Sequence, residues 1–396
     1  MTIYLIFALI ISFGVLPGCA QKATPVPART QAPAPTVIQA PAPAVTQAPA
    51  ITKAAPAVPE WQQKWDKTVA EAKKEGKLNI YGGVNPETSR ALSEAFARKY
   101  DIQLDFLLGR GSEVVVKYKQ EMTAGINIPG AFNMSPSFAP QGLFAPIEPY
   151  LFLPEVTDSK VWIDGKVPYL DKEKTMIMLN RGYTSYTTVN TDMVKEGQIK
   201  SVRDLLKPEW KGKITLYDPG TASAAAAWAT FVLTRAMNWE EGTDFLRALA
   251  ATEPVMTRDV RQHIESVAKG KYAIALGAQQ AATTDFIKTG APVGIIRWQE
   301  GGMINTASGN LEVPAKPANP NAATVFINWM LTKEAQEIFV KSYGNPSWRA
   351  DVSTEGIDPS RIPLPGEKLT MADSDFYVEQ AKAMKLAKEI FGPLMK

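Results

Sequence analysis

Apolar positions recur at helical spacing from Trp61 to Glu75 and stop at Gly76, which predicts an amphipathic helix ended by a glycine. The period then shortens. Leu78-Asn79-Ile80-Tyr81 reads as a strand, Gly82-Gly83 as a turn and Pro86 to Tyr100 as a second helix. Ile102 to Leu108 is the next strand, closed by Gly109-Arg110-Gly111-Ser112, with a helix over Glu113 to Ala124. Strand, glycine-bearing loop and helix in alternation predict an α/β fold with a largely parallel sheet.

A second such set follows Arg181. Tyr183 to Val189, rich in Thr and Tyr, reads as one long strand suited to crossing between lobes, and Ser201 to Leu206 as a short helix. Lys213 to Tyr217 is a strand, Asp218-Pro219-Gly220-Thr221 a turn, and Ala222 to Met237 a helix whose alanines allow close packing. Helices over Trp239 to Ala250 and Arg261 to Lys269 lead to a buried strand at Tyr272 to Leu276. From Gly301 the chain turns back through a strand at Asn310 to Val313 and helices at Asn321 to Leu331 and Lys333 to Tyr343. Glu60 to Lys396 exceeds the usual size of one domain, which favours two lobes in one chain.

The ends change the picture. Ile3 to Leu16 is an uncharged apolar run, shorter than the about 20 residues of a membrane span, and Gly18 precedes Cys19. This reads as a lipoprotein signal over residues 1–18, with Cys19 lipidated and the mature chain anchored without spanning. Ala20 to Pro59 is almost wholly Ala, Pro, Thr, Val and Gln, a composition that cannot bury a core and predicts a polyproline-like tether over residues 19–59. Cys19 is the only cysteine and His263 the only histidine, which removes disulfides, thiolate clusters, multi-imidazole metal sites and most Ser-His or Cys-His hydrolytic arrangements. His263 reads as a surface or helix-packing residue. A formal net charge of +3 with no basic run gives no reason to expect nucleic acid.

The order of Leu78-Asn79-Ile80-Tyr81, Arg110-Gly111-Ser112, Val189-Asn190-Thr191-Asp192 and Leu205 to Lys213 continues through Gly270 to Ala275, Asn319 to Ala323 and Pro346 to Val352. In this order the motifs resemble the extracellular solute-binding proteins that include ferric-iron-binding members. The resemblance implies a type II periplasmic-binding fold of two α/β lobes, discontinuous in sequence and joined by crossings near Arg181 and Glu300. It assigns residues 60–181 to lobe 1, 182–300 to lobe 2, and 301–396 to the return into lobe 1 with the C-terminal helices. It implies a monomer that captures a small ligand by hinge closure and hands it to an ABC permease driven by a separate ATPase subunit. A sensor module for a membrane receptor is the alternative in another class.

In open α/β sheets ligands sit beyond the carboxyl ends of strands, where helix N-termini offer free N–H groups. The candidate ligand-binding residues are therefore Tyr81, Gly83, Asn85, Arg110, Ser112 and Ser135 in the first lobe. In the second they are Asp218, Thr221, Ala222, Ser223, Arg258, Arg261 and Gln279. Each has a structural alternative: Tyr81 as core packing, Asp218 to Thr221 as an ordinary turn, Arg110 and Arg258 as solvated or surface-paired. Tyr183 and Tyr186 read first as crossing-strand residues, one of which could line the cleft, and Arg349 as structural.

Iron-binding relatives place adjacent tyrosines after the strand corresponding to Tyr272 to Leu276, where this chain has Gly277-Ala278-Gln279-Gln280. Neutral amides are poor ligands for a hard cation, so the expected ligand is a small organic or phosphorus-containing anion, with ferric iron or an iron chelate as the alternative. No metal site and no cofactor is expected. No P-loop, nucleophile elbow or dinucleotide fingerprint stands at the required spacing, so the chain is not read as an enzyme.

Overall fold

The computed structural model describes residues 58–82, 84–109, 111–304, 307 and 309–395. The expected signal, Cys19, the tether as far as residue 57, and the candidate positions Gly83 and Arg110 lie outside the described residues. The first part of the chain forms α1 (Glu60–Glu75), β1 (Lys77–Gly82), α2 (Pro86–Tyr100), β2 (Gln103–Leu108), α3 (Gly111–Thr123), β3 (Ala131–Asn133), β4 (Phe144–Ala145), α4 (Pro154–Thr157) and β5 (Met176–Met178). It crosses at β6 (Tyr183–Thr184). The second part forms β7 (Thr187–Asn190), β8 (Ile214–Tyr217), α5 (Ala224–Phe231), α6 (Trp239–Ala251), β9 (Val255–Thr257), α7 (Val260–Ala268), β10 (Ile274–Leu276), α8 (Gln280–Lys288) and β11 (Val293–Ile295). The chain returns at β12 (Gly302–Ile304) and adds β13 (Asn310–Pro314), α9 (Pro320–Met330) and α10 (Lys333–Tyr343). It ends with β14 (Leu369–Met371) and α11 (Ser374–Phe391).

Local signals explain the boundaries near the cleft. Gly76 ends α1 in the left-handed region at φ 71°. Asn85 caps α2 by accepting the Thr88 N–H, and Pro86 occupies the first turn, where a missing N–H costs nothing.

The first sheet runs β2-β1-β3-β13-β4 with β5 also on β13, and the second β11-β7-β10-β8-β9. Both are mixed rather than largely parallel. β1 pairs in parallel with β2 and β3, and β8 with β9 and β10, but β13 and β7 run antiparallel to their neighbours. The reversal has a simple cause: both strands enter their sheets from the other lobe, not through a local crossover helix.

Two more expectations change. The long strand over Tyr183 to Val189 is broken, because Tyr186 sits at φ 52° and turns the chain between β6 and β7. In addition, the lobes are joined by three crossings: β6, β12 and β14 form a separate sheet of order β14-β12-β6. Gly302 is required there, since a Cβ would stand 1.9 Å from the Tyr183 ring. The third crossing splits the return segment. β13, α9 and α10 pack on the first lobe, whereas Phe376, Ala383, Ala387 and Phe391 of α11 join the core of the second.

Each lobe has its own core, one around Phe96, Phe326 and Trp329 and one around Trp228, Leu246 and Phe376. Burying a large apolar side chain contributes about 1.5–3 kcal/mol, so each cluster can hold its lobe together while the chain between them bends.

Candidate functional site

Four strand ends deliver the site. After β1, Asn85 caps α2 with its Oδ1 2.7 Å from the Thr88 nitrogen. After β3, Ser135 caps the tight turn Pro136–Gln141, its Oγ accepting from the Ser137 N–H and hydroxyl. After β8, Ser223 caps α5 by accepting the Ala226 N–H at 3.3 Å. After β10, Gln279 precedes α8 without any side-chain cap. Gly277 makes this convergence possible: it has φ 70°, and a Cβ there would lie 2.2 Å from the Ala225 side chain.

All four residues line a cavity of about 710 Å³ between the lobes, a volume in the usual range for small-molecule sites. Ser135 and its turn face α11 across the cleft, and α11 contributes Tyr377 and Gln380 to the wall. Tyr183, Tyr186, Tyr343 and Asn345 supply the hinge side. Arg361 is the one ionised side chain among the described lining residues; no carboxylate, Lys or His lines the space.

Arg361 donates from Nη1 to Asn345 Oδ1 at 2.7 Å and from Nη2 to Thr284 Oγ1 at 3.1 Å. Its Nε is buried without a protein acceptor, as is Gln280 Nε2 beside the start of α8. Burial lowers the guanidinium from its ordinary value, opposed by Asp358 and then by Tyr343 and Asp285. Burial likewise raises the Tyr186 and Tyr183 phenols, with Tyr377 and Glu367 adding to it respectively. Tyr183 and Tyr186 are therefore held as neutral hydroxyls. Among its described lining residues the site offers N–H and O–H donors with one positive charge, groups that can hydrogen-bond an oxyanion.

Of the candidate residues, Asn85, Ser135, Ala222, Ser223 and Gln279 line the cavity. The other described candidates stand elsewhere. Tyr81 is buried in the first lobe, its hydroxyl donating to Glu121 at 3.0 and 3.2 Å. Ser112 is exposed in the first turn of α3, and Arg261 in that of α7. Asp218 builds the turn before α5: Oδ1 accepts the Gly220 N–H, the backbone carbonyl accepts the Thr221 and Ser223 hydroxyls, and Oδ2 accepts from Arg258 Nε at 2.8 Å. Arg258 itself is 65 % exposed.

Arg361 and Asn345 escaped the sequence reading because neither follows a strand; both lie on the irregular segment between α10 and β14. His263 is 1 % exposed beneath the second sheet and lowered to about 4 by burial, which makes it a packing residue. Arg349 is 2 % exposed, paired with both oxygens of Asp351 and bonded to the carbonyls of Glu155 and Leu331. Among the described residues no three His, Cys, Asp or Glu side chains gather to hold a metal, and no helix is long and apolar enough to cross a membrane.

Residues 91–360 match the sequence profile of the family described as bacterial extracellular solute-binding protein. An uncharacterized protein of Haemophilus influenzae is 26% identical over 329 residues, covering 79% of this chain and 90% of its own length. The iron- and citrate-bound FutA (IdiA) of Trichodesmium is similar in fold, with a TM-score of 0.62 at 18% identity, over 81% of this chain and 99% of that one. The periplasmic binding protein AfuA of Actinobacillus pleuropneumoniae, bound to fructose-6-phosphate, gives a TM-score of 0.57 at 19% identity, over 81% of this chain and 98% of that one.

Proposed function

The chain belongs to the bacterial extracellular solute-binding proteins, and from that premise we propose that it is a lipid-anchored capture protein for a small organic or phosphorus-containing anion. It closes its lobes about the ligand and delivers it to the permease of an ABC importer, whose separate ATPase subunit drives release. The observation that carries the ligand class is the donor-rich cavity. The N-termini of α2, α5 and α8 border it, Arg361 and Gln280 line it, and no carboxylate lines it among the described residues. A ligand with oxyanion oxygens meets those donors; a bare ferric ion meets neutral amides, hydroxyls and a positive charge. The four lining tyrosines favour an iron chelate as the second reading, since a chelating anion would bring its own oxygens to the metal.

Ligand that binds only the native state raises its melting temperature, by about 2.7 kcal/mol of added stability at a hundredfold excess over Kd. The ligand-stripped chain is expected to melt higher with at least one organic acid, phosphonate or sugar phosphate. A rise with ferric salts alone, and with no anion, overturns the ligand class. Lipidation rests on Gly18-Cys19 behind the apolar run. Cys19→Ser is expected to move the protein from the membrane fraction to the soluble fraction in cells; a variant that stays with the membrane refutes the anchor.

A further inference from the structure

Arg361 touches both halves of the molecule. Its Nη1 bond goes to Asn345, which follows α10 of the first lobe and in turn donates to Asn180 beside the first crossing at 3.2 Å. Its Nη2 bond goes to Thr284 on α8 of the second lobe. The third donor edge, Nε, is buried and has no protein acceptor. An arginine that lines the cavity, bonds neutral side chains of both lobes through its two terminal nitrogens and keeps a second N–H on each of them, with no carboxylate among the described lining residues, is placed to report on the space between the lobes.

The turn that carries it is held from the second lobe. Arg297, just after β11, lies 4.1 Å from the centre of the Tyr183 ring and pairs with both oxygens of Glu367 at 2.7 and 2.9 Å. Its other nitrogen reaches the carbonyls of Pro359, Ser360 and Ile362, at 3.4, 3.2 and 2.8 Å. One planar fork therefore ties the hinge ring, the third crossing and the turn Pro359–Arg361 together, a geometry that an ammonium cannot reproduce. Both residues lie close to the hinge sheet, where a change in the angle between the lobes alters distances least at the pivot and most at the rim.

Resting on the anion reading above, we propose that Arg361 is the specificity-determining residue of the cleft, selecting ligands by their negative charge while bridging the lobes, and that Arg297 is its positioning residue. The ligand oxyanion takes terminal N–H groups that the lobes leave unused, so the guanidinium becomes shared by the first lobe, the second lobe and the ligand. A neutral isostere of the same shape leaves those donors without an anionic partner and gains nothing from the bridge.

The test is calorimetric titration of the full chain in detergent with inorganic phosphate, citrate and fructose 6-phosphate, and with fructose as the neutral counterpart. Arg361→Gln is expected to weaken the bound anion about 10- to 100-fold, the loss of one charge-assisted contact, and Arg361→Lys to restore part of it. Arg297→Lys is expected to weaken the same anion, and the double variant Arg297→Lys with Arg361→Gln to be no weaker than Arg361→Gln alone, because one residue acts through the other. Melting of each unliganded variant separates lost contact from lost fold; if Arg361→Gln melts low, Arg361→Lys decides. A wild-type chain that binds none of the three anions, or binds fructose as tightly as its phosphate, overturns the anion reading and this inference with it. Tight anion binding that survives both Arg361 substitutions overturns the inference and leaves the reading standing. Additive losses in the double variant remove Arg297 from the scheme.

Discussion

Arg258 and Arg361 look alike in sequence, each close to a Pro- or Gly-bearing turn and an aspartate, yet they occupy opposite electrical environments. Arg258 lies over the outside of the Asp218 turn, mostly in water, where its pairing contributes little. Arg361 is drawn between the lobes and bonded only to neutral side chains, Asn345 and Thr284. Charge in water is screened by solvent and costs nothing to leave unpaired, whereas charge in a cleft holds an unmet demand for an anion. Depth, not residue type, separates a rim arginine from a reading arginine.

A third arginine, Arg349, has its charge buried and fully paired. Arg349→Ala leaves Asp351 and two carbonyls without their donor, and is expected to destabilise the fold by about 3–5 kcal/mol in urea unfolding. A loss below about 1 kcal/mol would show that burial depth does not rank these sites.

Glu312 on β13 extends the same contrast to an acid. It is completely buried, its Oε2 accepting the Met134 N–H at 3.1 Å, and burial raises it well above the ordinary 4.5, with Asp171 adding and the Met134 bond opposing. The native state therefore keeps a proton that the unfolded chain releases, so stability falls as pH rises above the unfolded value toward the folded one. Glu312→Gln keeps the acceptor and removes the titration. Its urea midpoint is expected to match the wild type near pH 4.5 and to exceed it increasingly toward pH 8; parallel curves across that range would refute the buried proton.

The smallest effect is expected at the rim. Arg258→Gln should change stability by less than about 1 kcal/mol and anion affinity by less than about twofold. A tenfold loss of affinity there would put Arg258 in the site and break the distinction between rim and cleft.

Much of the architecture was legible because it rests on local patterns. The helix over Trp61 to Glu75, the strand at Leu78 to Tyr81 and the capping residues Asn85, Ser135 and Ser223 announce themselves through periodicity and short polar side chains ahead of helices. What stayed hidden depends on contacts distant in sequence. The break at Tyr186 needs a left-handed residue inside a run of strand formers, and β14 is too short and half-exposed to show alternation. Arg361 enters the cleft only because Arg297, 64 positions earlier, grips its turn. Tyr81 was placed at a strand end correctly, but its side chain points to Glu121, a partner that no local pattern identifies.

The third crossing has a mechanical consequence. Because α1 packs on the first lobe and α11 on the second, the two ends of the folded unit sit on opposite sides of the hinge sheet. Any tension applied between those ends is shared in parallel by β6, β12 and β14, and any swing of one lobe relative to the other changes the span from end to end. The protein is thus wired as its own strain gauge: probes attached near Glu60 and Phe391 would read the angle of the lobes directly, with no label inside the cleft.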